Sequence, residues 1–344
     1  MTRYPPAAPP AGRSGAEYHD ARLANRNKIL RSLIGGGPAT RAELSRRTGL
    51  SRPTVSVITS DLIEAGLVTE GERVSSGGAP GTLLHIAHDS GVTVVADMRQ
   101  PRHVTVATVA AGGDVISRTE RRVSSGNRAL AAIAEHAATV DSGAAIGTTL
   151  AVRSSHDRAT VGFAEELRRE VPMPVAVVGA VGAMAVADLR DSPEGLTGHA
   201  TLVFPEAVAG LVVNGDLVTG RTRTVGDFSH VATGVRGPTC HVCGRACLSA
   251  QAQALVDKDT SANRRRLGVA TAAIIAPVAA AIELQEIALA GIPEPAAQTV
   301  ANSTLVELQE RLPGEDVPVV RLSQQGEDAV LVGAAAITLF SRLG

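Results

Sequence analysis

Residues 40–66 read TRAELSRRTGLSRPTVSVITSDLIEAG, and their punctuation marks out two short helices with a tight turn between them. Thr40, followed three positions later by Glu43, is the pattern of a capping box, in which hydroxyl and carboxylate each satisfy a backbone N–H left over at a helix start. The helix so begun runs through Leu44 to Thr48 and stops at Gly49. Ser51 caps the next helix, and Pro53 falls in its first turn, where a missing N–H costs nothing. Val55, Ile58 and Leu62 then recur at helical spacing as an inward stripe, and Gly66 closes the helix.

Outward from this stretch, Leu23, Ile29, Leu30, Leu33 and Ile34 share one face of a longer helix that must end at Gly35-Gly36-Gly37-Pro38. Downstream, Leu67-Val68-Thr69 and Leu83-Leu84-His85-Ile86 predict two strands joined across a glycine-rich tip from Ser75 to Gly81. Three helices and a two-stranded wing make a winged helix-turn-helix, assigned to residues 22–88, behind a Pro/Gly/Ala-rich tail at 1–21 that is expected to be disordered. Opposite the apolar stripe stand Arg52, Thr54, Ser56, Thr59 and Ser60, whose hydroxyl and guanidinium groups can enter a major groove, donate to phosphates and read base edges. The candidate DNA contacts are Arg41, Ser51, Arg52, Thr54, Ser56, Thr59 and Arg73, and the expected partner is double-stranded operator DNA. The other reading of the same face is a solvated surface on a protein-interaction module.

Charge leans toward the first reading. Residues 1–86 hold 11 Lys/Arg against 7 Asp/Glu, and the remainder 22 against 27, so a mildly basic head precedes an acidic body. Hydrophobic residues make up 44% and aromatics only 2%, so the core must be built from Val, Leu, Ile and Ala. The proline-rich start has no apolar run behind it and does not read as a secretory signal. The most apolar stretch, Val269 to Ile282, is short for a bilayer span and is interrupted by Pro277, so a buried helix, no membrane and a cytoplasmic setting are expected.

The three cysteines, Cys240, Cys243 and Cys247, lie within eight positions, with His230 ten residues upstream of the first. A disulfide would leave one thiol over, and unrelated buried cysteines would not bunch. A tetrahedral cation of borderline softness takes three thiolates and one imidazole, so the spacing points to a structural zinc ion in a loop spanning 226–249. Gly234, Gly237, Pro238 and Gly244 supply the tight backbone. His241 competes with His230 for the nitrogen position.

From about Gly91 the pattern turns to strands alternating with helices. Val92–Asp97, His103–Val109 and Val115–Thr119 predict three successive strands, followed by a helix near Ala129–Val140 and a strand at Ala144–Ala151. A strand at Val175–Val178, a helix at Ala180–Leu189 and the strand pair Thr201–Phe204 and Val208–Val213 follow. Three strands and then helix–strand alternation, given twice, predict an α/β body of two lobes around a cleft, actin-like or sugar-kinase-like, over residues 89–344.

From about Asn25 onward the chain resembles the ROK family of repressors, open reading frames and sugar kinases, in its transcriptional-regulator branch. The resemblance rests on Leu50 to Ser56, on Val213-Asn214-Gly215 before Gly226-Asp227-Phe228-Ser229-His230, on Gly237-Pro238-Thr239-Cys240 through Cys247-Leu248, and on Gly326-Glu327-Asp328 leading into Gly333-Ala334-Ala335. It implies zinc at His230, Cys240, Cys243 and Cys247, although the usual C-x-C-x4-C spacing is here C-x2-C-x3-C, with Val242 where the middle ligand normally stands. It also implies a sugar-like effector near Asp227, His230 and Ser249, with Arg221 and Arg223 as further polar candidates. Asp227 and Ser249 each replace a glutamate, leaving too few fixed acceptors for an ordinary hexose; a modified or phosphorylated sugar, or no effector, is expected. Asp227 reads equally well as a turn-capping carboxylate.

The resemblance also implies what is missing. The family's D-x-G-x-T phosphate loop is Asp97-Met98-Arg99-Gln100-Pro101 here, and a bulky side chain and a rigid ring spoil the close approach a phosphate needs. The N-D-A-N run carrying the catalytic aspartate is Gly179-Ala180-Val181-Gly182. The second phosphate loop is Pro205 to Gly210, and the adenosine-side glycines reduce to Gly291. The family's Gly-Arg-Pro in the wing is Gly78-Ala79-Pro80, with Arg73 as the nearest substitute. The expectation is a non-enzymatic, zinc-stabilised repressor acting as a homodimer or homotetramer. An active kinase with a regulatory head and an effector-independent zinc-held interaction protein are the alternatives.

Overall fold

Local capping builds the N-terminal unit. In the computed structural model, which describes residues 15–74, 80–87, 91–141, 143–153, 158–192, 197–220, 225–312, 314, 317–324 and 326–343, the first helix α1 spans Gly15–Gly36. It starts inside the stretch expected to be disordered. The buried Ile29, Leu30 and Leu33 fix this helix against the rest of the head. Residues 1–14 lie outside the described ones.

After a short strand β1 (Ala39–Thr40) comes α2 (Arg41–Thr48), whose capping box is complete. The Glu43 N–H donates to the Thr40 hydroxyl at 3.2 Å and the Thr40 N–H to the Glu43 carboxylate at 2.7 Å. The bond from the Thr40 amide holds the Glu43 carboxyl below its usual pKa. Gly49 ends the helix in the left-handed conformation. Helix α3 (Arg52–Glu64) is capped by Ser51 and buries Val55, Ile58 and Leu62. Strands β2 (Val68–Val74) and β3 (Gly81–Ile86) form the wing, with β3 central in a β1-β3-β2 sheet. Most of the expected wing tip, residues 75–79, lies outside the described residues.

The body repeats one plan twice. Strands β4 (Val92–Asp97), β5 (His103–Ala110) and β6 (Val115–Arg122) form an antiparallel meander. After helix α4 (Gly126–Ala137), β7 (Ala145–Val152) pairs parallel to β4, and after α5 (Arg158–Glu170), β8 (Val175–Gly179) pairs parallel to β7. Helix α6 (Ala180–Asp188) leads to the second sheet, where β9 (Gly198–Val203), β10 (Val208–Val213) and β11 (Asp216–Leu217) are again antiparallel. Helices α7 (Leu248–Asp257) and α8 (Ser261–Ile282) precede β12 (Glu286–Ala290), and α9 (Ala296–Arg311) precedes β13 (Val319–Leu322); both strands add in parallel. The strand orders β6-β5-β4-β7-β8 and β11-β10-β9-β12-β13 are those of a duplicated half. Helix α10 (Ala329–Leu343) packs with α6 between the two sheets.

The apolar segment around Val269 belongs to a longer helix than its sequence suggests. Thr260 caps α8 well upstream of it, and the helix reaches 22 residues, enough by length and composition to cross a membrane. Its Leu267, Ala270, Ile274 and Ile275 instead pack in the core of the second lobe with residues of α7 and α9.

Candidate metal centre and nucleic-acid interface

The loop after β11 brings four donors together. His230 Nδ1 lies 3.6 Å from Cys240 Sγ and 3.8 Å from Cys247 Sγ, and with Cys243 the four ligand atoms all fall within 4.8 Å of one another. Metal–sulfur bonds of about 2.3 Å and metal–nitrogen bonds of about 2.0 Å on tetrahedral axes put nitrogen and sulfur about 3.5 Å apart. The donor set therefore fits one tetrahedral ion. The backbone closes around it: the Gly244 N–H donates to the Cys240 carbonyl at 2.8 Å, the Cys240 N–H to the Arg245 carbonyl at 2.9 Å, and Ala232 bridges to Cys247. The Val242 N–H points at Cys240 Sγ, 3.4 Å away. Amides of Cys243 and Val242 pull the Cys240 thiol down to about 6, whereas burial pushes Cys247 up. Of the two competing histidines, it is His230 that joins the cysteines; His241 is exposed on the turn. The one-residue shift of the middle cysteine leaves Val242 exposed.

On α3 and its cap the outward face carries the exposed Ser51, Arg52, Ser56 and Ser60, with Thr54 half-buried. Thr59 corrects the sequence reading: it is fully buried. It stands four residues after Val55 and three before Leu62, on the stripe itself, and its hydroxyl donates to the Val55 carbonyl at 2.8 Å. Arg41 is likewise engaged within the head, donating to Thr59 Oγ1 at 3.2 Å and pairing with Glu70 on β2 at 2.9 Å. Sequence reasoning missed Val57, which is 57% exposed among the polar residues of α3. Its position two residues off the stripe was the available signal, and an apolar side chain there suits contact with a thymine methyl. Arg73 is exposed on the wing strand.

Positions tied to kinase chemistry are taken up by other interactions. At the end of β4 the Arg99 N–H and guanidinium donate to the Asp97 carboxylate at 2.9–3.1 Å, placing a cation where a phosphate loop would be open. Beside it is a pocket of about 330 Å³ lined by Asp97, Arg99, His103, Arg118, Glu120 and Glu327, whose charges are largely satisfied internally, Arg118 bonding Glu120 and Asp328. Ala180, at the start of α6, is buried and offers no base. Gly291 adopts φ +76, and a Cβ there would overlap the Phe204 carbonyl oxygen, so packing accounts for this glycine.

The effector candidates are not gathered into that pocket. Asp227 Oδ1 accepts from the Ser229 N–H at 3.1 Å and the Ser229 hydroxyl at 2.6 Å, so the carboxylate caps a turn. His230 Nδ1 faces the sulfurs, and the Ser249 N–H donates to the Ser229 carbonyl at 3.0 Å. Arg221 and Arg223 lie outside the described residues. A further polar cluster, unannounced by the sequence, ties α6 to β9, β12 and β13. In it Arg321 donates to Glu286 at 2.8 Å and to the Asp188 carbonyl at 3.0 Å, while Thr201 and Ser323 donate to the Asp188 carboxylate.

Comparison with known proteins fits this anatomy. Residues 22–69 match the family described as winged helix-turn-helix DNA-binding. No curated protein sequence matches the chain. A solved ROK family transcriptional regulator, described as a homolog of the E. coli MLC protein, superposes with a TM-score of 0.67 at 19% identity over 94% of this chain and 98% of that one. The chain has the ROK fold. A ROK hexokinase from Thermus thermophilus shares it over 73% of this chain and 99% of its own, with a TM-score of 0.60 at 17% identity. A ROK glucokinase from Streptomyces griseus, in complex with glucose and AMPPNP, matches 72% of this chain and 99% of its own at 15% identity and a TM-score of 0.54. The match to the ROK regulator thus takes in the winged head as well as the body.

Proposed function

We propose that the chain is a cytoplasmic transcriptional regulator of the ROK family, a repressor that binds a palindromic operator as a homodimer or homotetramer. The observation that carries this reading is the exposed Arg52, Ser56, Val57 and Ser60 face of α3 in a unit that matches DNA-binding winged helices. Residues 22–88 form the reading head and 89–344 the body. Zinc at His230, Cys240, Cys243 and Cys247 acts structurally, ordering the loop between β11 and α7. A sugar-class effector belongs near that loop, where Asp227, Ser249 and Nε2 of His230 supply polar groups. Its binding shifts the lobes and with them the spacing of two heads on DNA.

The test is to sequence genomic fragments retained by the purified protein, with and without candidate sugars. Arg52→Ala is expected to weaken retention of the preferred fragments about tenfold or more, the scale of one lost guanidinium contact. Unchanged retention at every site would remove α3 from the reading role. Arg41→Ala, which loses a partly exposed pairing within the head, is expected to lower stability in urea unfolding by no more than about 1 kcal/mol, with the choice of fragments unchanged.

The body is proposed to be catalytically silent, which the Arg99–Asp97 pair and the missing base at Ala180 support. Incubation with ATP and a panel of hexoses is expected to give no phosphorylated sugar above the buffer rate. Turnover with any one of them would establish the kinase reading in its place.

A further inference from the structure

A second cavity lies at the seam between head and body, far in sequence from the zinc loop. It measures about 220 Å³ and is lined by Lys28, Arg31 and Ser32 of α1, Arg46 and Arg47 of α2, and Gly215 in the β10–β11 turn. Four of these side chains are cationic, and none of the described lining residues is acidic. Two described carboxylates act on this wall: Asp216 pairs with Arg31 at 2.5 Å, and Glu43 acts on Arg47 from within α2. Ser32 supplies an independent observation. It is only 1% exposed, it lines the cavity, and its Oγ has no hydrogen-bond partner. A buried hydroxyl left unsatisfied costs stability unless something else completes it.

We infer that this cavity is a binding site for a small phosphate-like or carboxylate-bearing anion, held by Lys28, Arg31, Arg46 and Arg47 and accepting a hydrogen bond from the Ser32 hydroxyl. Guanidinium groups suit planar and tetrahedral oxyanions, and their bonds to such groups are among the stronger hydrogen bonds in proteins. A cavity of this volume cannot admit a duplex as far as Ser32, so the observations favour a small molecule over the DNA backbone. The occupied site links α1 and α2 of the head to a turn of the second lobe, and so holds the head in one orientation on the body. This inference does not depend on the operator-binding reading.

The experiment titrates the full-length protein with inorganic phosphate, and separately with malonate, at constant ionic strength set with chloride. Heat of binding and thermal midpoint are followed in wild type, Ser32→Ala, Arg46→Ala and the surface control Arg128→Ala. Saturable binding of phosphate or malonate by wild type and Arg128→Ala, weakened tenfold or more in Arg46→Ala and severalfold in Ser32→Ala, is the expected result; which of the two anions binds more tightly identifies the ligand chemistry. Non-saturable behaviour, or equal binding in all four proteins, would overturn the site. So would a result in which Arg46→Ala weakens binding to duplex DNA while neither anion binds, since the basic wall would then be a DNA-backbone contact. The Arg52→Ala experiment is untouched by any of these outcomes.

Discussion

Gly333→Ala is expected to destabilise the body by about 3 kcal/mol or more, the upper end of what overpacking costs. A Cβ at this position would overlap the Ala183 carbonyl oxygen and stand 2.5 Å from its carbonyl carbon. Those are backbone atoms of α6, which cannot swing aside as a side chain can. The α6 and α10 axes must therefore separate, and both are packed between the two sheets. The check is urea unfolding, where the midpoint should fall with little change in slope. Gly162→Ala on α5 is the matched control: nothing stands within 4 Å of its Cβ position, so the gain in helix propensity should raise stability by up to about 1 kcal/mol. Opposite signs from one chemical change would attribute the loss to the helix crossing; equal effects would remove that explanation.

The second large effect concerns the metal. Wild-type protein is expected to carry one zinc ion per chain, and Cys247→Ser or treatment with a strong chelator to remove it. Cys247 is fully buried, and with Cys240 and Ala250 forms its own small apolar cluster apart from the main cores. So little apolar packing cannot order the loop alone, and the consequence of metal loss should be local opening more than global unfolding. Arg236 and Arg245 are exposed in that loop and offer trypsin two cleavage points. Cleavage there should accelerate about tenfold or more in the metal-free protein, while the thermal midpoint of the body moves by only a few degrees. A metal-free wild type with an equally resistant loop would show that the cysteines order it without an ion.

Much of this architecture could be read from the chain because its signals are local. The Thr40–Glu43 box, the Ser51 cap and the Val55–Ile58–Leu62 stripe each concern residues within one or two helical turns, and all three are present in the structure. The Cys240, Cys243 and Cys247 grouping was equally plain, since thiol spacing is a strong constraint, whereas only the fold places His230 and not His241 beside them. What escaped were properties set by neighbours distant in sequence. Thr59 is polar by type, yet a hydroxyl that bonds its own helix carbonyl can lie on a buried stripe. Arg41 seemed available to DNA until folding brought Glu70 beside it. The network of Asp188, Glu286 and Arg321 joins partners up to 133 residues apart, and the parallel strands β12 and β13 add across intervening helices; a single sequence gives no register for either.

One contact reaches from end to end. Leu339, on the last helix, is buried in the same apolar cluster as Ile29, Leu30 and Leu62, and the guanidinium of Arg31 stacks 4.3 Å from the centre of the Phe340 ring. The winged head is therefore seated on the carboxyl-terminal rod of the body instead of swinging on a tether. A premature stop codon that removed only those final turns would leave every exposed side chain of α3 in place and still deprive the head of its seat, so its harm would surface at the opposite terminus.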